Sequence, residues 1–178
     1  MFIFGHLGIG WKLSSPLARN LPVRAVLAGT LLPDLIDKPL FYGERAIQAL
    51  ANPGFEIPLV TCTRTFGHTA GLTFALTSAA WALRSRTCAA LALGALSHQA
   101  LDVMMDLFLK AEQPSALIAL VWPLFGPMPG RFADTPFTDL EGHLSTLGNM
   151  TVIGAELLGA ALLLELYFKS RRGSTKIT

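Results

Sequence analysis

The stretch GALSHQALDVMMD, Gly94 to Asp106, lies inside an apolar run from Thr87 to Leu109 that is long enough to cross a bilayer. Four residues separate His98 from Asp102, so on a helix the two stack on one face, and Asp106 extends the stripe. An imidazole and two carboxylates on one side of an apolar helix need partners, because burying them without any is costly. A metal ion and a protein ion pair are the two ways to supply them. We favour the metal.

The composition supports a membrane setting for this helix. Of 178 residues, 52% are apolar and only 15% charged, and the mean hydropathy is +0.49. Most of the helical surface then has no polar face to offer water, the mark of a multi-pass membrane protein. A net charge of +2 with no basic helix or aromatic-basic patch argues against a nucleic-acid partner. The apolar start lacks a preceding basic region and a small-residue cleavage site, so we expect no secretory signal. Cys62 and Cys88 are expected to be two free, packing thiols on opposite sides of the membrane.

Working outward, Met1 to Leu13 is a short apolar segment carrying His6, expected to form an interfacial or half-buried helix. Four stretches are expected to span: Val23 to Tyr42, Phe66 to Leu83, Thr87 to Leu109 and Asn149 to Phe168. In the first, Pro33 is expected to end or kink the helix and leave Asp34 and Asp37 at a broken end. Gly43 to Thr65 reads as a polar loop. The second span begins with His68 and returns through the Arg84-Ser85-Arg86 turn, giving a hairpin packed through Ala79, Ala80, Ala89, Ala90, Ala92 and Gly94. Residues 110–147 are rich in Pro and Gly, and their apolar piece, Pro114 to Phe125, is too short to span. That segment is a candidate re-entrant gate. Trp11, Trp81 and Trp122 suit interface anchors.

Charge placement gives the orientation. The connector Lys12–Arg24, the Arg84–Arg86 turn and the tail after Phe168 hold nine basic residues and no acid. The other five, Lys38, Arg45, Arg64, Lys110 and Arg131, share their loops with nearly all the acids. By the positive-inside rule the first set faces the cytoplasm. His6, Asp34, Asp37, His68, His98, Asp102 and His143 then converge on the outer leaflet.

Zinc takes imidazole nitrogen and carboxylate oxygen, often four ligands, with one position open in a catalytic site. His68, His98, Asp102 and one of Asp34 or Asp37 would supply such a set, and His6 could join it or a second ion bridged by Asp102. Arg64, four residues before His68, reads either as a phosphate clamp or as a surface arginine at lipid headgroups. Glu141 and His143 are optional ligands, with a solvated loop histidine the simpler reading. Glu156 is either a partner behind the site or a neutral buried acid.

The ordered set His6, Pro33-Asp34-Leu35-Ile36-Asp37, Arg64-Thr65-Phe66-Gly67-His68, Ser97-His98-Gln99-Ala100-Leu101-Asp102 and Trp122-Pro123 resembles the inner-membrane-associated metal-dependent hydrolases (YdjM-like). That family in turn is similar to zinc-dependent phospholipase C and to single-strand nucleases of similar fold. The resemblance implies first-metal roles for Asp34 or Asp37, His68, His98 and a bridging Asp102, with His6 at a neighbouring site. The further pair of histidines and glutamate found in those soluble enzymes is not matched here beyond Glu141 and His143.

The expectation is therefore an all-α, multi-pass integral membrane bundle, one domain over residues 1–178, with a metal site in the outer leaflet. It would sit in a bacterial inner membrane, its site facing outward and its C-terminus in the cytoplasm. The expected activity is hydrolysis of a phosphoester in a lipid or lipid-linked substrate, using one or two Zn2+ ions or another divalent metal. Arg64 would bind the phosphoryl group, and whichever of Asp34 and Asp37 is not a ligand, in the first instance Asp37, would be the general base. The alternative is a non-enzymatic membrane protein with a structural metal site that serves as a binding module. An ion carrier is disfavoured because the acids cluster on one side, and no His-Glu-x-x-His motif supports a zinc protease.

Overall fold

The computed structural model describes residues 3–51, 63–109, 115–122 and 148–174, and its regular structure is helical. In chain order the helices are α1 (Ile3–Ser14), α2 (Val23–Leu50), α3 (Ala70–Ala82), α4 (Arg86–Phe108), α5 (Ser115–Val121) and α6 (Met150–Ser174). The central helix is α4. It packs most extensively along α2, then against α3 and α1, while α6 lies along α1.

Small residues decide which helices touch. A Cβ added to Gly94 would collide with the Val26 carbonyl of α2, and one on Gly29 would collide with the Leu91 carbonyl of α4. Backbones therefore meet at this crossing, as small residues permit in membrane helices. Ala90 joins Val26 and Ala18 in the same contact. The small face of α4 thus packs on α2, whereas the sequence pattern had pointed Gly94 and Ala90 toward α3. Helix α3 has no buried residue at all. Gly8 and Gly159 form a second backbone crossing, between α1 and α6.

Helix α2 corrects the expected break at Pro33. The helix continues through Pro33 and Pro39 to Leu50, so Asp34 and Asp37 sit in its middle and its end lies well inside the expected loop. Each proline removes one backbone donor and crowds the preceding turn. Neighbouring structure makes this tolerable. Pro33 is buried, and the backbone of Gly67 packs so closely on it that no Cβ would fit between them.

The second expected span is also shorter than read. Helix α3 begins at Ala70 and runs for 13 residues, about 20 Å at the usual rise of 1.5 Å per residue. Thr69 is its N-cap, its side chain accepting from the Leu72 N–H at 3.3 Å. His68 consequently lies in the loop ahead of the helix. The expected tight turn after α3 is present, with Arg84 in the left-handed region at φ 48° and the Ser85 side chain capping α4 through the Cys88 N–H.

Among the described helices, α4 and the stretch Met150–Arg171 of α6 are long and apolar enough to cross a membrane. They differ in what they bury. The most apolar window of α4 is 56% buried inside the protein, that of α6 only 11%. Leu157, Leu158, Leu164 and Phe168 on α6, with Phe74 and Trp81 on α3, present apolar side chains outward. Water would not favour such a surface. Trp122 departs from a plain anchor, packing edge-on against Phe66 at 5.8 Å between centroids.

Candidate metal centre

Four separate pieces of chain bring their imidazoles and carboxylates to one place: His6 from α1, Asp34 from α2, His68 from the loop before α3, and His98 and Asp102 from α4. Asp34 is partly exposed; the other four are buried. His98 and Asp102, one helical turn apart, face the same point with Nε2 and Oδ2 3.5 Å apart. His6 stacks on His98 at 3.8 Å between ring centroids. It also sets its Nε2 3.4 Å from Asp102 Oδ1. One Asp102 oxygen therefore faces His68 and His98, and the other faces His6.

The hydrogen bonds behind the rings determine what the rings present. His98 Nδ1 lies 2.7 Å from the Thr30 carbonyl oxygen, which can only accept, so Nδ1 carries the proton. His68 Nδ1 lies 2.7 Å from Asp37 Oδ2 and donates to it in the same way. Asp37 is already an acceptor for the backbone N–H groups of Thr65 at 2.7 Å, Gly67 at 2.8 Å and His68 at 3.2 Å. Both rings thus turn Nε2 inward, and those two nitrogens are 3.2 Å apart. Two lone pairs at that distance repel unless a proton or a cation lies between them. This is the ring orientation that supporting hydrogen bonds impose on metal-binding histidines.

The spacing allows the ion to be tested. Ligand atoms about 2.0–2.2 Å from a tetrahedral zinc lie roughly 3.3–3.6 Å from one another. His68 Nε2, His98 Nε2 and Asp102 Oδ2 form a triangle with sides of 3.2, 3.4 and 3.5 Å. Asp34 Oδ1 lies 3.5 Å from His68 Nε2 and 3.9 Å from His98 Nε2. His6, Asp34 and His98 make a second group whose ligand atoms lie within 4.8 Å of one another. His6 Nδ1 is buried without a hydrogen-bond partner among the described residues. The donor set and its spacing fit a divalent cation of the zinc type.

Charge works in the same direction. Burial alone would push His68 down, but the carboxylates of Asp102, Asp34 and Asp37 outweigh it and hold the ring up at about 10. Three carboxylates gathered around this ring thus favour a positive charge on it. His6 is pushed down to about 3, first by burial and then by the neighbouring His98, so its ring is neutral. A neutral ring keeps a lone pair for a ligand bond.

Two sequence expectations look different in this geometry. Asp34 faces the cluster, whereas Asp37 spends both oxygens on the loop backbone and on His68 Nδ1, which sets it behind the ring rather than beside an attacking water. Arg64 is neither at a surface nor open to a phosphate. It is buried, donates from Nη1 to both Asp106 oxygens at 2.9 and 3.0 Å, and places Nε 3.3 Å from Asp102 Oδ2. Burial opposes its charge, but Asp102 and Asp106 raise its pKa further. Asp106 also accepts the Ala116 N–H of α5 at 2.8 Å, so the stripe's third member holds the arginine and α5 rather than the cluster.

Other supporting groups had no signal of their own in the sequence. Gln99 donates to the Thr69 carbonyl at 2.8 Å and the Gly67 carbonyl at 3.3 Å, bracketing His68. Thr30 acts through its carbonyl, which any residue carries. Glu156, left open above, accepts from the Phe4 and Gly5 N–H groups at 2.9 and 3.1 Å and so caps α1 two residues from His6. Glu141, His143, Cys62 and most of the proposed gate lie outside the described residues.

The described residues thus form a helical protein with two helices apolar enough to cross a membrane and a buried cluster of His and Asp side chains that could hold a metal ion. More particularly, the chain belongs to the YdjM inner membrane protein family, whose profile matches residues 1–171. Comparison with curated proteins finds no match, and neither does comparison with solved structures.

Proposed function

We propose that this chain is a membrane-embedded, zinc-dependent hydrolase that cleaves a phosphoester of a lipid or lipid-linked substrate. The observation that carries the reading is the triangle of His68 Nε2, His98 Nε2 and Asp102 Oδ2, with hydrogen bonds at both Nδ1 atoms turning the two Nε2 atoms inward. His68, His98 and Asp102 would hold the ion, with Asp34 a further candidate ligand and His6 beside the other oxygen of Asp102. Zinc in such a site supplies Lewis-acid chemistry, polarising a phosphoryl oxygen and making hydroxide available near neutral pH. Asp37 orients His68, and Arg64 with Asp106 fixes Asp102. Asp34 alone of the five cluster residues is partly exposed, so it is the cluster carboxylate that an incoming substrate would meet first. The basic residues at the connector, the Arg84–Arg86 turn and the tail support a multi-pass topology, with the site toward the outer face and the C-terminus in the cytoplasm.

The test is zinc content and phosphodiesterase activity of the purified protein beside His98→Ala. The reading expects bound zinc and turnover in the parent and loss of both in the variant; equal metal and equal activity in the two would overturn it. A second reading has an observation in its favour: Arg64 Nε on Asp102 Oδ2 extends the cluster into an ion-pair network, as a structural metal site in a binding module would have. Stoichiometric zinc with no turnover, and no effect of phosphate on any property, is the result that selects it.

A further inference from the structure

One residue of the cluster reaches an open cleft beside it. Asp34 lines an open cleft of about 420 Å³ together with Lys38, Tyr42 and the apolar side chains of Ile3, Leu31, Leu35 and Pro39. That volume falls in the range of about 300–1,000 Å³ typical of small-molecule sites. Asp34 belongs to both places. Its Oδ1 lies 3.5 Å from His68 Nε2, and its Oδ2 accepts from Lys38 Nζ at 2.7 Å.

We propose that this cleft is the substrate site, where Lys38 holds the phosphate of an anionic lipid and the apolar walls hold the start of its hydrocarbon chain. The proposal rests on the hydrolase reading and names the substrate class that the site admits. Arg64 is committed to Asp106 and Asp102 in the interior, so the clamp must come from elsewhere. Lys38, with 29% of its side chain exposed, is a cation on a flexible stem, held at the mouth by the same carboxylate that borders the cluster. An ammonium so placed attracts a phosphate group beside the cluster. The walls choose the source of that phosphate. A free phosphate ion gains nothing from Ile3, Leu31, Leu35 and Pro39, whereas an acyl or alkyl chain buries them, and membership of an inner-membrane family puts lipid within reach.

The experiment uses the full chain in phosphatidylcholine vesicles, with nitroxide-labelled phosphatidic acid or nitroxide-labelled phosphatidylcholine as probe. The fraction of immobilised label is read by electron paramagnetic resonance, and zinc content is measured in parallel. The proposal expects about fivefold selectivity for phosphatidic acid, the effect of one cation near an anionic headgroup. Lys38→Met should abolish the selectivity, Lys38→Arg should keep it, and Leu35→Trp should reduce immobilisation by filling the cleft, each with zinc content unchanged. Equal immobilisation of the two lipids by the parent, unchanged selectivity in Lys38→Met, or full displacement by millimolar inorganic phosphate would overturn it. Selective binding without phosphodiester turnover sinks the hydrolase reading and leaves the lipid site standing. Turnover of a soluble phosphodiester without lipid selectivity does the reverse.

Discussion

Replacing Asp37 by asparagine keeps the shape of the side chain and removes the charge that organises the loop before α3. The carboxylate accepts from the backbone N–H groups of Thr65, Gly67 and His68 and from His68 Nδ1. An asparagine has one accepting oxygen. Its amide group must then face donors, and the least disruptive orientation sets it against the Gly67 N–H. Bonds to a charged acceptor contribute about 1.5–3 kcal/mol each and neutral ones about 0.5–1.5 kcal/mol, while a buried unpaired donor costs about 1–3 kcal/mol. One lost bond, one stranded donor and weakening of the rest give a loss of roughly 3–6 kcal/mol. His68 also loses the partner that turns its Nε2 inward, and loss of such a partner weakens metal binding about 10–100-fold. Zinc titration against a competing chelator, with thermal unfolding in the same detergent, measures both effects. Zinc affinity within about twofold of the parent, at unchanged stability, would refute the assignment of Asp37 as the positioning residue behind His68.

Asp106→Asn should leave the buried Arg64 guanidinium short of a charge and lower stability by about 3–5 kcal/mol, read as a drop in thermal midpoint; an unchanged midpoint would show that Asp102 alone suffices. Gly94→Ala forces a methyl group into the Val26 carbonyl of α2. It should cost about 1–3 kcal/mol and reduce zinc binding through the displaced His98, whereas the neighbouring Ala100→Gly, on an exposed position, should leave zinc binding intact. Glu156→Ala strips the first N–H groups of α1 of their acceptor, a loss of about 1 kcal/mol. Its zinc stoichiometry should fall only where His6 contributes, so a parent that binds two ions should become a protein that binds one.

Much of the site was legible because helical spacing is. His98 and Asp102 face one point since i and i+4 share a face, whatever surrounds them, and the charge asymmetry already separated one group of acids and histidines from the basic turns. The early histidine was legible from its place on the outer side of Lys12 and from the ordered motif set, and α1 buries it together with Gly8 and Gly10. What could not be read was pairing between distant segments. Pro33 looks like a helix end on local grounds, yet the tertiary contact with Gly67 carries α2 through it. Asp34 and Asp37 are equivalent in sequence, and only the loop wrapped around Asp37 distinguishes them. Arg64 has the spacing of a substrate clamp, but its partner Asp106 lies 42 residues away. Thr30 contributes a carbonyl and left no trace in residue type.

The most direct test of the account is X-ray absorption at the zinc edge on the purified protein and on His98→Ala. The account predicts a shell of about four nitrogen and oxygen neighbours at roughly 2.0–2.2 Å with the scattering pattern of imidazole, weakened or lost in the variant. A protein that takes up no zinc, or a spectrum that His98→Ala leaves unchanged, would contradict it.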